Sequence, residues 1–169
     1  MKRFVYALTA AMALTVVPAV PADAARPEIT RFSDDNAGNP DYWPNICGPG
    51  ADMMGVFEVK GSETVFFDAD GVPVHVIVHI NFDGVLTRVD TGNSIKDPGR
   101  ITVNVDLATG TQTITGLDYN MIYPGLGPVF QNIGRKVIAG EELEFNAGPN
   151  DFEGFDPAEI FEAACAALA

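Results

Sequence analysis

The chain has 169 residues, with 23 acidic and 10 basic side chains and a formal charge of −13; that is the length of one domain, with a surface that repels phosphate backbones and anionic lipid. Nucleic acid is therefore not an expected partner. No stretch is apolar over the roughly 18–20 residues needed to cross a bilayer, so no membrane insertion is expected either.

Lys2 and Arg3 precede an apolar segment over residues 4–17, and Ala22, Asp23 and Ala24 follow. A basic start, a short apolar run and a small-x-small end make a secretory signal peptide, with cleavage expected after Ala24 and a secreted mature protein. The acidic charge then reads as solubility outside the cell, with an acidic binding face or a salt-adapted surface as alternatives. Residues 25–50 are rich in polar and turn-forming side chains without sustained period, which predicts an arm laid across a single domain of residues 51–169. Tyr42, Trp43 and Cys47 anchor this arm, and Trp43 reads as a packing anchor in preference to a ligand platform. Cys47 and Cys165 are the two cysteines. In an exported chain such a pair is expected to form a disulfide that clasps the two ends of the domain. The alternatives are two free thiols, or a nucleophile in one of them.

From residue 54 onward short β-favouring runs alternate with turn chemistry. Runs at 56–60 and 63–67 are broken by Gly61. Asp68, Ala69, Asp70 and Gly71 form a tight turn before the run at 72–82, and Asp83-Gly84 separates that run from 85–90. A connection over 91–99 leads to 100–107, a hairpin turn at Ala108, Thr109 and Gly110 leads to 111–119, and a loop over 120–128 precedes 129–138 and 142–146. The expected class is all-β. About eight antiparallel strands joined by short connections favour a lipocalin-like up-and-down barrel, with a β-sandwich as the alternative. Asp156, Pro157 and Glu159 then form a capping box for a short C-terminal helix. Ile160, Phe161, Ala164, Cys165 and Leu168 lie along its apolar stripe.

The run at 72–82, VPVHVIVHINF, holds both histidines of the chain. Alternation puts Val74, Val76, Val78, Ile80 and Phe82 on one face and His75, Ile77 and His79 on the other. The histidines stand roughly 13 Å apart along the strand. Donor atoms on one zinc ion lie only ~3.5 Å apart, so a metal site there is disfavoured against a polar strand face, and no metal is expected. Asp68 and Asp70 do not continue into a calcium loop, because the required Gly and Glu positions hold Pro73 and His79. Gly125 and Gly127 lack the third glycine of a dinucleotide fingerprint. Ser33, Ser62 and Ser94 sit in no nucleophile motif. No catalytic residue and no cofactor is assigned, although accidental carboxylate pairs stay open among so many acids. An eight-stranded barrel has room for one small ligand. The loop at 120–128, with Met121, Ile122, Tyr123 and Leu126, is apolar enough to act as a lid, although an ordinary plug is the plainer reading. His75, His79, Met121 and Tyr123 are the candidate ligand-binding residues.

The ordered segments ITVNVDLATGTQTITG, YPGLGPVFQNIGRKV, EFNAGPNDF and CAALA resemble a group of small secreted proteins from actinobacteria, over most of residues 47–169. The resemblance implies export and a small β domain, and it transfers no functional residue. The leading expectation is a non-enzymatic exported barrel that binds a small apolar or amphipathic molecule. The alternatives are a cell-envelope structural or interaction protein without a pocket, and a lipocalin-like isomerase or cyclase with His75 or His79 pointing inward as an acid-base group. Cavity volume and the facing of the histidines discriminate among the three.

Overall fold

The computed structural model describes residues 26–140, 142–149 and 157–169. The expected export signal and the expected cap, Asp156, lie outside the described residues, as do the side chains of residues 157–159. Among the described residues the strands are β1 (Glu28–Asp35), β2 (Asp41–Trp43), β3 (Met53–Phe67), β4 (Pro73–Arg88), β5 (Ser94–Asp106), β6 (Thr111–Tyr123), β7 (Gly127–Ala139) and β8 (Glu142–Ala147), followed by the helix α1 (Pro157–Ala167). They form one eight-stranded antiparallel sheet in the order β1-β3-β4-β5-β6-β7-β8, with β2 paired to the start of β3. From β3 onward each strand pairs with its sequence neighbour because the connections are tight turns. At Asp68, for example, the side-chain Oδ1 accepts the N–H groups of Asp70 and Val72 at 2.9 and 2.8 Å.

The all-β class, the antiparallel order and the C-terminal helix are as expected. Closure into a barrel is not: β1 and β8 stand at the two edges of the sheet. β1 carries Glu28, Asp34 and Asp35 and β8 carries Glu142 and Glu144, so both edges are acidic, and like charges brought together across a ladder are destabilising. The unclosed sheet leaves the β-sandwich alternative standing.

Three expected boundaries differ, and glycine is the common reason. Residues 56–60 and 63–67 belong to the single strand β3, and 73–82 and 85–88 to β4. The expected connection at 91–99 holds the first part of β5. A side chain built on Gly84 would meet the Phe57 ring, and one on Gly99 the Phe82 ring. These glycines leave room for an aromatic ring of the neighbouring strand, and they do not mark turns. The loop expected at 120–128 shrinks to Pro124, Gly125 and Leu126, because β6 runs to Tyr123 and β7 starts at Gly127. A long lid is therefore absent from this place.

The sheet's inner face is the one that carries Met53, Leu86 and Ile95. Its core lies at one end, where Met53, Leu86, Ile95, Met121 and Phe130 pack against Ile160, Ala164 and Leu168 of the helical segment. Burying side chains of this size contributes about 1.5–3 kcal/mol each. The predicted apolar stripe of the helix faces this core. Thr91 Oγ1 and Asn93 Nδ2 donate to the Leu168 carbonyl at 3.3 Å each. Trp43 packs on Phe161 with ring centroids 5.1 Å apart, which is the packing anchor expected from its place in the chain. Cys47 and Cys165 form the expected disulfide, with Cα atoms 5.2 Å apart. The expected arm supplies the edge strand β1 and the short β2.

Candidate functional site

Polar side chains are buried at one place on the inner face. Asp97, Asn132 and Lys136 are 2%, 1% and 4% exposed. Lys136 reaches the inner face because β7 places Phe130, Asn132, Gly134, Lys136 and Ile138 on that side, in register with Met121, Tyr119, Gly116, Ile114 and Gln112 of β6. The register shifts between Leu117 and Tyr119, which leaves Asp118 as the extra residue of a bulge. A bulge re-aims side chains, and this one turns both Asp118 and Tyr119 inward.

Asp118 Oδ2 accepts from Lys136 Nζ and from Asn132 Nδ2, at 3.3 Å each. Asp97 Oδ1 accepts the Asn120 N–H at 2.9 Å. Burial pushes the Asp97 carboxyl up to about 6, against the opposing effect of that hydrogen bond. Burial raises Asp118 as well, with Lys136 pulling the other way. The Tyr119 hydroxyl is raised by the same burial and by the two carboxylates beside it. One buried atom of the cluster has no partner among the described residues, Asn132 Oδ1. An unpaired buried acceptor costs about 1–3 kcal/mol, so a donor is wanted at this point.

A shallow recess of about 10 Å³, partly open to solvent and with room for roughly one water-sized group, is lined by Ile114, Gly116, Asp118, Asn132, Gly134 and Lys136. Beside it the inner face is aliphatic: Val78, Val103 and Ile114 form one row across β4, β5 and β6, with Lys136 next in line on β7. The arrangement offers an ammonium, a carboxyl and an amide oxygen within an apolar surface. It can hold a polar head that donates a hydrogen bond while the rest of the molecule lies on the aliphatic row.

The four residues singled out from sequence do not converge. His75 and His79 lie on the outer face, in register with Asp106 and Thr102 of β5. His75 is half-buried beside Phe66, with ring centroids 5.7 Å apart, and His79 is exposed with Nδ1 3.0 Å from Thr102 Oγ1. Met121 is 1% exposed on the inner face, inside the core beneath α1. Tyr123 packs against the same core. Among the described residues no three His, Cys, Asp or Glu side chains gather in a way that could hold a metal ion. No helix among them is long and apolar enough to cross a membrane.

Asn132 and Lys136 escaped the sequence reading because β7 is apolar on both parities, and Asp118 because it sits in a bulge of β6. Val129, Ile133 and Val137 make the more hydrophobic set, so alternation alone points Lys136 outward. Among known proteins the chain matches no family model, no curated protein and no solved structure.

Proposed function

We propose that this is an exported β-sheet protein that binds one small amphipathic molecule on the inner face of its sheet. The hydroxyl or amine head of the molecule donates to Asn132 Oδ1, and its apolar part lies over the half-buried Val78 and Ile114. The observation that carries this reading is the unpartnered, buried Asn132 Oδ1 beside a recess in an aliphatic surface. A bound donor there removes the cost of the orphaned acceptor, and burial of the apolar part adds about 25 cal/mol per Å². At about 10 Å³ the recess is far below the roughly 300–1,000 Å³ of drug-sized ligand pockets, so it takes a single hydroxyl or amine group and leaves the rest of the molecule on the open face of the sheet. Export is supported by the basic and apolar start of the chain, and by a disulfide that persists in an oxidising compartment.

The envelope-interaction alternative draws on the two sheet edges, β1 and β8, that no further strand covers among the described residues. The isomerase or cyclase alternative has less support, because His75 and His79 lie across the sheet from the buried polar cluster.

Native mass spectrometry of the protein purified from its own culture medium tests the proposal. Extra mass that denaturation releases is expected, and Asn132→Leu is expected to weaken retention of a probe such as 1-decanol by about tenfold or more. A bare disulfide-bonded mass, together with no 1-decanol binding by the wild-type protein, overturns it and leaves the envelope reading.

A further inference from the structure

The outer face of the sheet carries a second feature, independent of the inner-face reading. Its side chains fall into rows set by the register. One row runs Arg31, Ser62, His79, Thr102, Thr115, Arg135 and Ala147. The next runs Ser33, Lys60, Asn81, Arg100, Leu117 and Ile133, and on the other side lie Ile29, Thr64, Ile77, Asn104, Thr113, Val137 and Phe145. These three rows hold Arg31, Lys60, Arg100 and Arg135 and not one carboxylate, in a chain with 23 acidic and 10 basic residues. The carboxylates resume only at the borders, with Asp35, Glu58 and Asp83 on one side and Asp106 and Glu142 on the other. Lys60 pairs with the border residue Glu58, and the Arg135 guanidinium lies over the Phe145 ring, 5.8 Å from its centroid. Arg31 and Arg100 are exposed and pair with no carboxylate among the described residues.

We propose that these rows are a docking surface for a linear glycan bearing carboxylate groups. Charge complementarity is the first argument, since unpaired guanidinium groups bind carboxylates through two parallel hydrogen bonds. The second is the neutral content of the strip. Ser62, Thr102, Thr115, Asn81 and Asn104 supply the hydroxyls and amides that pair with sugar hydroxyls. Geometry is the third. Strands repeat at ~4.8 Å, close to the length of one sugar in an extended chain, so a strip roughly 29 Å long and 13 Å wide presents a regular series of contacts. A nucleic acid duplex, with a phosphate charge every ~1.7 Å of axis, would overhang onto the acidic borders and meet an acidic protein beyond them.

Retention of the disulfide-bonded protein on immobilised polygalacturonate tests this. Wild type is expected to bind at low ionic strength and to release as salt rises toward about 1 M, where the screening length falls to ~3 Å. Arg31→Ala combined with Arg100→Ala is expected to weaken binding by about tenfold or more, and Arg31→Gln alone on the edge strand by less. Lys96→Ala, which removes a cation outside the three rows, is expected to bind as wild type. Far-UV circular dichroism shows whether the double variant folds, and the edge-strand variant carries the test if it does not. No retention of wild type, equal retention of the arginine variants, or tighter binding of duplex DNA than of polygalacturonate overturns the proposal.

Discussion

Asp97 is 2% exposed, and the Asn120 N–H at 2.9 Å does not offset the loss of water around its carboxylate. Its acidity, pushed to about 6, lies above the ordinary carboxyl value of 3.8. The folded state therefore binds the proton more tightly than the unfolded state does. The destabilisation is present in full above pH ~6 and is relieved as pH falls toward the unfolded value, which amounts to about 3 kcal/mol across that window. Asp118, raised by the same burial, acts in the same direction. Stability is thus expected to rise between pH 7.5 and pH 4.5, read as a higher urea midpoint. Asp97→Asn keeps an acceptor for the Asn120 N–H and removes the buried charge. It is expected to be more stable than wild type by about 1–3 kcal/mol at pH 7.5, with the two converging near pH 4. A wild-type midpoint that falls on acidification, or an Asn variant that loses stability at pH 7.5, would contradict the account. None of this was legible in the sequence, where Asp97-Pro98-Gly99 reads as a turn. Pairing of β5 with β4 and burial beside Asp118 convert a turn residue into a buried acid, and both effects are tertiary.

Helix α1 has 11 residues, a length at which isolated helices are marginal, so its place on the sheet depends on tertiary ties. These are the apolar contacts of Ile160, Ala164 and Leu168 and a disulfide between residues 118 apart in sequence. Loop-closure entropy assigns about 4–5 kcal/mol to a bridge over such a span. Cys47→Ala with Cys165→Ala, or reduction of the native bridge, is expected to cost an amount of that order in urea unfolding. Trp43, the sole tryptophan, packs on Phe161 and should report the event. Its emission is expected to shift red at reductant levels that leave the far-UV β signal unchanged; simultaneous loss of both would mean that α1 is not a separable element. The helix, its stripe and the clasp were all legible, because caps, a 3.6-residue period and a cysteine pair are local or countable signals. The central strand was legible for the same reason, with period-2 alternation placing Val76, Val78 and Ile80 opposite His75 and His79. The edge strand β1 was not. EITRFSDD is exposed along its whole length and lacks the apolar alternation that a buried face imposes. In-strand glycines such as Gly84, seated against the Phe57 ring, carry the same letters as turn glycines, and only the neighbouring strand distinguishes them.

At the scale of the molecule, the sheet does not close among the described residues, and its edge strands β1 and β8 present backbone N–H and C=O groups that can template another chain. β1 is exposed throughout and adds the apolar Ile29 and Phe32, and β8 adds Leu143 and Phe145. Such edges would let β1 of one copy extend β8 of the next in a head-to-tail series. What opposes this is charge: β1 carries Glu28, Asp34 and Asp35 and β8 carries Glu142 and Glu144, so joining the two edges brings acidic strands together. Acidic side chains on both edges thus oppose the joining of neighbouring copies. Asp34→Asn, Asp35→Asn, Glu142→Gln and Glu144→Gln together are expected to produce concentration-dependent association in sedimentation velocity under conditions where wild type stays monomeric. Wild type in about 1 M salt, where charges more than ~3 Å apart are screened, should move part of the way. Asp70→Asn with Asp83→Asn lowers the net charge away from both edges and should leave the sedimentation profile unchanged. Equal association of this control and the edge variant would assign solubility to total charge instead, and the position of the edge carboxylates would then carry no special role.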